Sequence, residues 1–404
     1  MQITTRNILL FSTGAIICLG LVMLASASLS ISENITGNAL YFFNRQLIFL
    51  CVGLIVALIV YQLPINFWNQ HSVLFLSIAF LLLTLVLVPY VGKSVKGSMR
   101  WIPLGPINFQ PSELAKIFLV IYLASYLARR REEVKNEWLG LLKPLGVLAL
   151  AMLLLLAEPD FGSVVVIMMT AFSMIFLCGV KLKKFLSILG IGVLMLGVLA
   201  IAKPYRMQRL IDFRDPFENP FGSGYQLTQS LIAFGRGEWT GIGLGNSIQK
   251  LFYLPEAHTD FLFAVLAEEL GLVGNLLVIA LYTAIVISAL CIGRASAVKE
   301  NFFSAYFAYG LGILIGIQAV FNLGVNMGIL PTKGLTLPFM SYGGSSLIIN
   351  CMGLGALLKI DEETRAESLE RVKRKLSNSL KTYGQAKYEA ELKFKKQKRA
   401  KKAA

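Results

Sequence analysis

Read only for apolar and polar positions, the 404-residue chain is a series of long apolar runs separated by polar joints. The runs fall near residues 8–30, 43–63, 71–90, 113–128, 142–157, 161–179, 185–202, 260–292, 303–327 and 343–358. A helix needs roughly 20 such residues to cross the hydrocarbon core of a bilayer. The pattern predicts an all-α polytopic membrane protein of about ten transmembrane helices. The first run ends in the A-x-A of Ala25–Ala27, as a cleaved signal would. Its apolar stretch is longer than the roughly 7–15 residues of such a signal, so it reads as a retained helix. No internal repeat of fixed period is visible, which argues against a transporter built from duplicated halves.

Orientation comes from the basic clusters. Arg6, Arg129–Arg131, Lys181 with Lys183 and Lys184, Arg294 with Lys299, and the C-terminal tail are separated by even numbers of runs. All therefore fall on one side, which the positive-inside rule makes cytoplasmic. Both termini are expected inside, and the longest joint, 203–259, is expected as a large extracytoplasmic loop between helices 7 and 8. The other outer joints are 31–44, 91–112 and 328–342. A membrane domain of 1–360 followed by a basic cytoplasmic tail of 361–404 is the expected organisation.

Composition sharpens this picture at two points. The chain is 56% hydrophobic and 15% charged, far below the roughly one quarter charged of a soluble domain. Its net charge of +15 lies mostly in the tail and the inner joints, so no nucleic-acid partner is implied. The tail's RVKRK and KFKKQKRAKK suit either anionic lipid and a cytoplasmic partner or plain solvation. The five cysteines are scattered through apolar runs without a CxxC, which indicates neither a disulfide framework nor a metal site.

Several outer residues run against the inward charge bias: Lys93, Lys96, Arg100, Lys203, Arg206, Arg209 and Arg214. They either reach for lipid headgroups or hold a phosphate-bearing ligand at the outer surface. Glu113 and Lys116 share a helical face three residues apart, as a binding pair or as an insertion device. In EPDFG, at 158–162, Asp160 either caps the next helix after Pro159, or joins Glu158 in holding a divalent cation or sugar hydroxyls. YQLTQSLIAFG sets Leu227, Leu231 and Phe234 opposite Gln226 and Gln229, a pattern for a helix lying in the interface. GRGEWTGIGLGNSIQK has a GxGxG but lacks the flanking strand and helix of a dinucleotide site, and reads as a tight irregular loop. No organic cofactor is expected.

The segment LPEAHTDFLFAVLAEELG, 254–271, takes Asp260, Glu268 and Glu269 into an apolar run. Charges at bilayer depth are costly and mark function by default. Counting from Asp260 at helical spacing gives Ala264, Ala267, Gly271 and Gly274, a stripe of small residues that lets a neighbour approach. Asp260 is expected to face a bundle interior, where desolvation suits it to general-base work. Glu268 and Glu269, deeper in the run, are expected to serve folding or packing.

Together, RWIPLGPINFQPSELAK (100–116), EPDFG, GYQLTQS (224–230), LPEAHTDFLFAVLAEELG and LPTKGLTLPFMSYGGSS (330–346) resemble the SEDS family. These are the shape, elongation, division and sporulation proteins, and the likeness covers the whole membrane portion. The TKG of the last motif is closer to the division branch than to the elongation branch. The resemblance implies a peptidoglycan glycosyltransferase in the bacterial inner membrane, enriched at the division septum. It would polymerise lipid II into β-1,4 glycan strands and release undecaprenyl pyrophosphate. Asp260 falls on the family's catalytic position. The matching motifs carry over Arg100, Lys116, Glu113, Gln226, Glu256, His258 and Ser341 as substrate or pyrophosphate contacts, joined by the loop arginines Arg206 and Arg209. An α-linked donor and β-linked product need one inverting displacement and one base. A divalent cation, Mg or Mn, at Glu158 and Asp160 is an optional helper. Implied partners are lipid II, the nascent strand, membrane lipids, a class B penicillin-binding transpeptidase and other division proteins. A lipid II flippase and a non-catalytic division scaffold remain the rival readings.

Overall fold

The structure is a computed structural model; it describes residues 4–95, 98–105, 107–201, 207, 208, 211, 213–218, 220–222, 224–370 and 385. Arg206, Arg209, Lys96, Lys203 and both basic runs of the tail lie outside the described residues. By internal contacts the chain divides into Met1–Ile360 and Asp361–Ala404.

Helices dominate the first unit: α1 (Thr5–Thr36), α2 (Tyr41–Gln62), α3 (Ile65–Gln70), α4 (Ser72–Val86), α5 (Pro111–Arg129), α6 (Arg131–Asn136), α7 (Trp138–Ala157) and α8 (Phe161–Leu177). They continue with α9 (Leu182–Ile201), α10 (Tyr225–Gly237), α11 (Leu262–Ala297), α12 (Phe302–Asn326) and α13, a helix over 344–370 whose part in this unit ends at 360. Seven are long and apolar enough to span a membrane, and α4 and α8 are shorter apolar helices. With α13 they fall on the ten apolar runs of the sequence.

The helix ends follow local chemistry. Gly37, at φ 70, closes α1 by donating its N–H to Glu33 O at 2.9 Å, a conformation glycine adopts freely. Pro111 opens α5 at a position where no N–H is missed. Asp160 accepts from Ser163 N and Asn301 from Ser304 N, capping α8 and α12. Buried residues run almost without interruption through α5, which places it at the centre of the bundle with α12. Most of α9 is exposed, as suits a lipid-facing edge.

Two features differ from the sequence expectation. The joint 91–112 folds into three short antiparallel strands, β1 (Lys93–Val95), β2 (Ser98–Leu104) and β3 (Ile107–Phe109), in the order β1-β2-β3. Seven residues of β2 are too few to stand out beside runs of twenty. The second difference is in α11. It starts at Leu262 rather than at Asp260, and Gly271 breaks it at φ 64, ψ −161. Leu272 N and Val273 N bond instead to Glu238 O and Trp239 O at 2.9 and 3.1 Å, and Glu268 O and Glu269 O receive Ile242 N and Gly243 N at 3.0 and 3.1 Å. The loop after α10 thus takes up the groups that the break releases. A Cβ on Gly237 would lie 1.9 Å from Ala267 O, and one on Gly241 2.1 Å from Glu269 O. The small stripe therefore admits the end of α10 and the loop that follows it.

Candidate active site

Asp260 sits in a turn over 255–261 that leads into α11 and is half-buried. Glu256, at φ 60, folds this turn. Its carbonyl accepts from Thr259 N and Phe261 N, both at 3.1 Å, and its Oε2 from Thr259 Oγ1 at 2.9 Å. Asn322 Nδ2 and Asn326 Nδ2, one helical turn apart on α12, donate to Asp260 O at 2.8 and 3.0 Å. Asn326 Oδ1 accepts from Ala264 N at 3.1 Å, so one side chain fixes both the turn and the start of α11. The carboxylate lies against Gly334, where a Cβ would stand 2.7 Å from Asp260 Oδ2.

Gly334 belongs to a segment that crosses from Asp260 to the EPDFG turn. Asn322 Nδ2 also donates to Leu335 O at 2.6 Å. The Leu335 side chain approaches Gly162, 3.0 Å from a Cβ built there, and Lys333 Nζ stands 3.4 Å from the centre of the Phe161 ring. A cation placed so is held by the ring's quadrupole. Asp260 and the turn between α7 and α8 thus lie on either side of this segment, which lines the candidate cleft, and Lys333 reaches from one to the other.

That turn is a charge cluster. Arg100 on β2 donates to Glu158 O at 3.3 Å and to Pro159 O. Asp160 Oδ2 accepts from Ser112 Oγ at 3.0 Å and Ser163 Oγ at 2.7 Å. Burial pushes the Asp160 carboxyl up, but Arg100, both Ser163 donors and Lys116 outweigh it and hold it below the ordinary value. Glu158 has no such help. It is fully buried, and neither carboxyl oxygen has a hydrogen-bond partner. Burial first, and then Asp160, push it up to about 8 against the pull of Arg100. Its burial therefore favours the neutral acid.

This arrangement does not fit a protein-held divalent cation. Asp160 Oδ2 is taken by two hydroxyl donors, Glu158 is fully buried, and among the described residues no three metal-ligating side chains cluster. Hard cations take six or more oxygens.

The other candidates divide into two groups. Lys116 pairs with Glu113 at 2.8 Å, both buried, and Lys116 reaches far enough to stabilise Asp160; they join the Arg100 cluster. His258 stacks on Phe42 with ring centres 4.8 Å apart, and its carbonyl receives Tyr342 N at 3.1 Å, which ties the Asp260 turn to the 330–346 motif. Ser341 is buried, and its Oγ receives Leu337 N at 3.0 Å, so it shapes the backbone. Gln226 lies half-buried on α10, whose buried side packs on α11, with Phe234 edge-on to Phe263 at 5.6 Å. Glu268 and Glu269 are wholly buried and take no part in the cleft. Glu268 receives Arg236 Nη1 at 2.6 Å and Ile248 N and Gln249 N at 3.3 and 3.2 Å; Glu269 receives Lys250 Nζ at 2.9 Å and Ser26 Oγ at 2.7 Å.

Sequence reading passed over Asn322, Asn326, Lys333 and Lys250. The asparagines carried a signal, two amides one turn apart in an apolar run, and Lys333 stood inside a quoted motif. Lys250 had none, because its partner Ser26 lies 224 positions away.

Comparison with known proteins identifies the family. A family model for cell cycle proteins of the FtsW, RodA and SpoVE type matches residues 6–366. The chain is 54% identical over 363 residues to a probable peptidoglycan glycosyltransferase FtsW of Nitrosococcus halophilus, covering 90% of this chain and 94% of that one. It is 52% identical over 355 residues to the protein of the same description in Hahella chejuensis, with 88% and 89% covered. Among solved structures it resembles a chain of a peptidoglycan synthase complex that coordinates polymerization and crosslinking, with TM-score 0.72, 32% identity, and 88% and 97% covered. It also resembles the rod shape determining protein RodA of Thermus thermophilus, with TM-score 0.65, 28% identity, and 88% and 96% covered. The match to the family model over most of the chain, with identities above one half, makes this multi-pass protein a member of the FtsW/RodA/SpoVE, or SEDS, family of cell cycle proteins.

Proposed function

We propose that this chain is a peptidoglycan glycosyltransferase that polymerises lipid II at the outer face of the inner membrane, with Asp260 as general base. One observation carries the reading. Asp260, half-buried and with its backbone carbonyl held by two asparagines, lies against the Lys333–Leu335 segment, whose lysine reaches the turn that Arg100 binds. The acceptor 4-hydroxyl gives its proton to Asp260 as its oxygen bonds to the donor's anomeric carbon. The bond from that carbon to the pyrophosphate oxygen breaks, and the electron pair leaves with undecaprenyl pyrophosphate. Lys333, and the field of Arg100 and Lys116, stabilise that charge as it develops.

Support for a crosslinking partner comes from the matched synthase complex; a class B penicillin-binding transpeptidase at the septum, with other division proteins, suits that role. Ten crossings with both termini cytoplasmic suit the basic clusters. An impermeant thiol reagent that labels a cysteine at position 218 in intact cells supports this topology, and labelling only after lysis overturns it.

The test of function is strand length on a gel from purified lipid II and purified protein, with and without the partner. Asp260→Asn keeps the shape and removes the base, and should slow polymerisation by about 10²–10⁴. Polymerisation at the wild-type rate would favour the flippase reading.

A further inference from the structure

The loop between α10 and α11 has its polarity reversed. Along 247–253 the polar residues Ser247, Gln249 and Lys250 are buried against the protein. Trp239, Leu244, Ile248, Leu251, Phe252 and Tyr253 point outward, between 43% and 72% exposed. A loop in water shows the opposite arrangement.

Much of its backbone is bonded internally as well. Ile242 N and Gly243 N bond to α11 carbonyls, and Glu238 O and Trp239 O receive α11 amides. Ser247 N, Ile248 N and Gln249 N bond to the Glu269 and Glu268 carboxylates, and Lys250 N to Ser247 Oγ. Gly245 O receives Lys250 Nζ, and Ile242 O receives Asn246 Nδ2. Irregular backbone survives at membrane depth only where its polar groups are satisfied in this way.

The loop also sits below the surface. Lys250 meets Ser26 of α1 at 2.8 Å, and Ser26 lies ten residues, about 15 Å by helix rise, short of the outer end of α1 at Thr36. The loop pairs through Glu238 O and Trp239 O with Leu272 N and Val273 N of α11, and from there α11 leaves Val273, Leu276 and Leu277 more than half exposed. These residues belong to an apolar membrane helix.

We propose that residues 239–253 form a re-entrant segment whose apolar side lies in the outer leaflet, in contact with lipid acyl chains. Trp239 and Tyr253 stand where aromatic residues anchor a protein at the membrane interface. The buried Glu268, Glu269, Arg236 and Lys250 are the internal fastening that such a segment needs. The inference rests on membrane placement alone and is independent of the polymerase reading.

Spin labels decide the question. The five native cysteines are replaced, and nitroxides are attached after Ile248→Cys, Phe252→Cys, Leu277→Cys or Glu218→Cys. Each protein is reconstituted in phosphatidylethanolamine and phosphatidylglycerol vesicles. Power saturation then compares collisions with oxygen, which concentrates in lipid, against a water-soluble nickel chelate. The expected result is an oxygen-to-nickel ratio at 248 and 252 that matches the lipid-facing 277 and exceeds the water-facing 218. Nickel dominance at 248 and 252 overturns the proposal in favour of a solvated loop. Exclusion of both reagents overturns it in favour of coverage by a second copy.

Discussion

Asn322 Nδ2 donates to two backbone carbonyls, Asp260 O at 2.8 Å and Leu335 O at 2.6 Å. One amide therefore joins the two segments that form the cleft, and the register between the Asp260 turn and the Lys333–Leu335 segment depends on a side chain that need not touch substrate.

Asn322→Ala should reduce polymerisation more than it reduces stability. The buried Leu335 carbonyl loses its donor and the half-buried Asp260 carbonyl one of two, which costs about 1–3 kcal/mol. Misplacing a base by about 1 Å costs on the order of 10²-fold in rate. Thermal unfolding and lipid II turnover on the same preparation give both numbers. A variant with normal turnover would show that Asn326 alone holds Asp260.

Gly334→Ala tests the position of the carboxylate directly. Gly334 is exposed and lacks a positive φ, so alanine strains no backbone there. Its Cβ would stand 2.7 Å from Asp260 Oδ2, closer than contact allows, so the carboxylate must move. We expect a loss of about 10²-fold in turnover at unchanged melting temperature. Unchanged turnover would mean that the base tolerates displacement, against the general-base assignment.

Much of this architecture was legible in the sequence, for a physical reason. Bilayer thickness forces runs of a length that chance does not produce, so α1, α2, α11 and α12 were visible as apolar stretches. Asp260 was visible because a carboxylate is costly there. The sheet at 93–109 was not, since strands of three to seven residues leave no comparable trace. The break at Gly271 was hidden too: its glycine counted equally well toward a small-residue stripe, and only the pairing of Glu238 and Trp239 with Leu272 and Val273 distinguishes the two. The roles of Glu113, Lys116 and Arg100 had two readings each, because burial decides between them and sequence does not report burial.

Glu158 yields a prediction with a definite sign. Its pKa rises from an ordinary 4.5 to about 8 on folding, so between those values the folded chain holds a proton that the unfolded chain releases. Stability therefore falls as pH rises through that window and levels off above it. Glu158→Gln mimics the neutral form and should remove this slope. Wild type and variant should match near about pH 5, and the variant should melt higher near about pH 8.5. Parallel melting curves at the two pH values would contradict the buried, unpartnered carboxyl.

The Glu269–Lys250 pair offers the sharpest test of the loop's fastening. Glu269 is wholly buried and accepts from Lys250, Ser26 and Ser247. Removing one partner leaves the other charge stranded, at about 3–5 kcal/mol. Lys250→Met alone should destabilise the protein by that order and open 239–253 to protease. Glu269→Gln keeps an acceptor for Ser26 and Ser247 but leaves the ammonium unpaired, so it should cost a similar amount. The two together strand no charge, so the double variant should cost less than the sum of the two single variants. A coupling energy in such a cycle is about 0.5–3 kcal/mol for residues in contact. Denaturation of the four proteins in one detergent measures it. Strictly additive effects would mean that the salt bridge contributes nothing, and that the loop is held by its backbone bonds to the broken helix alone.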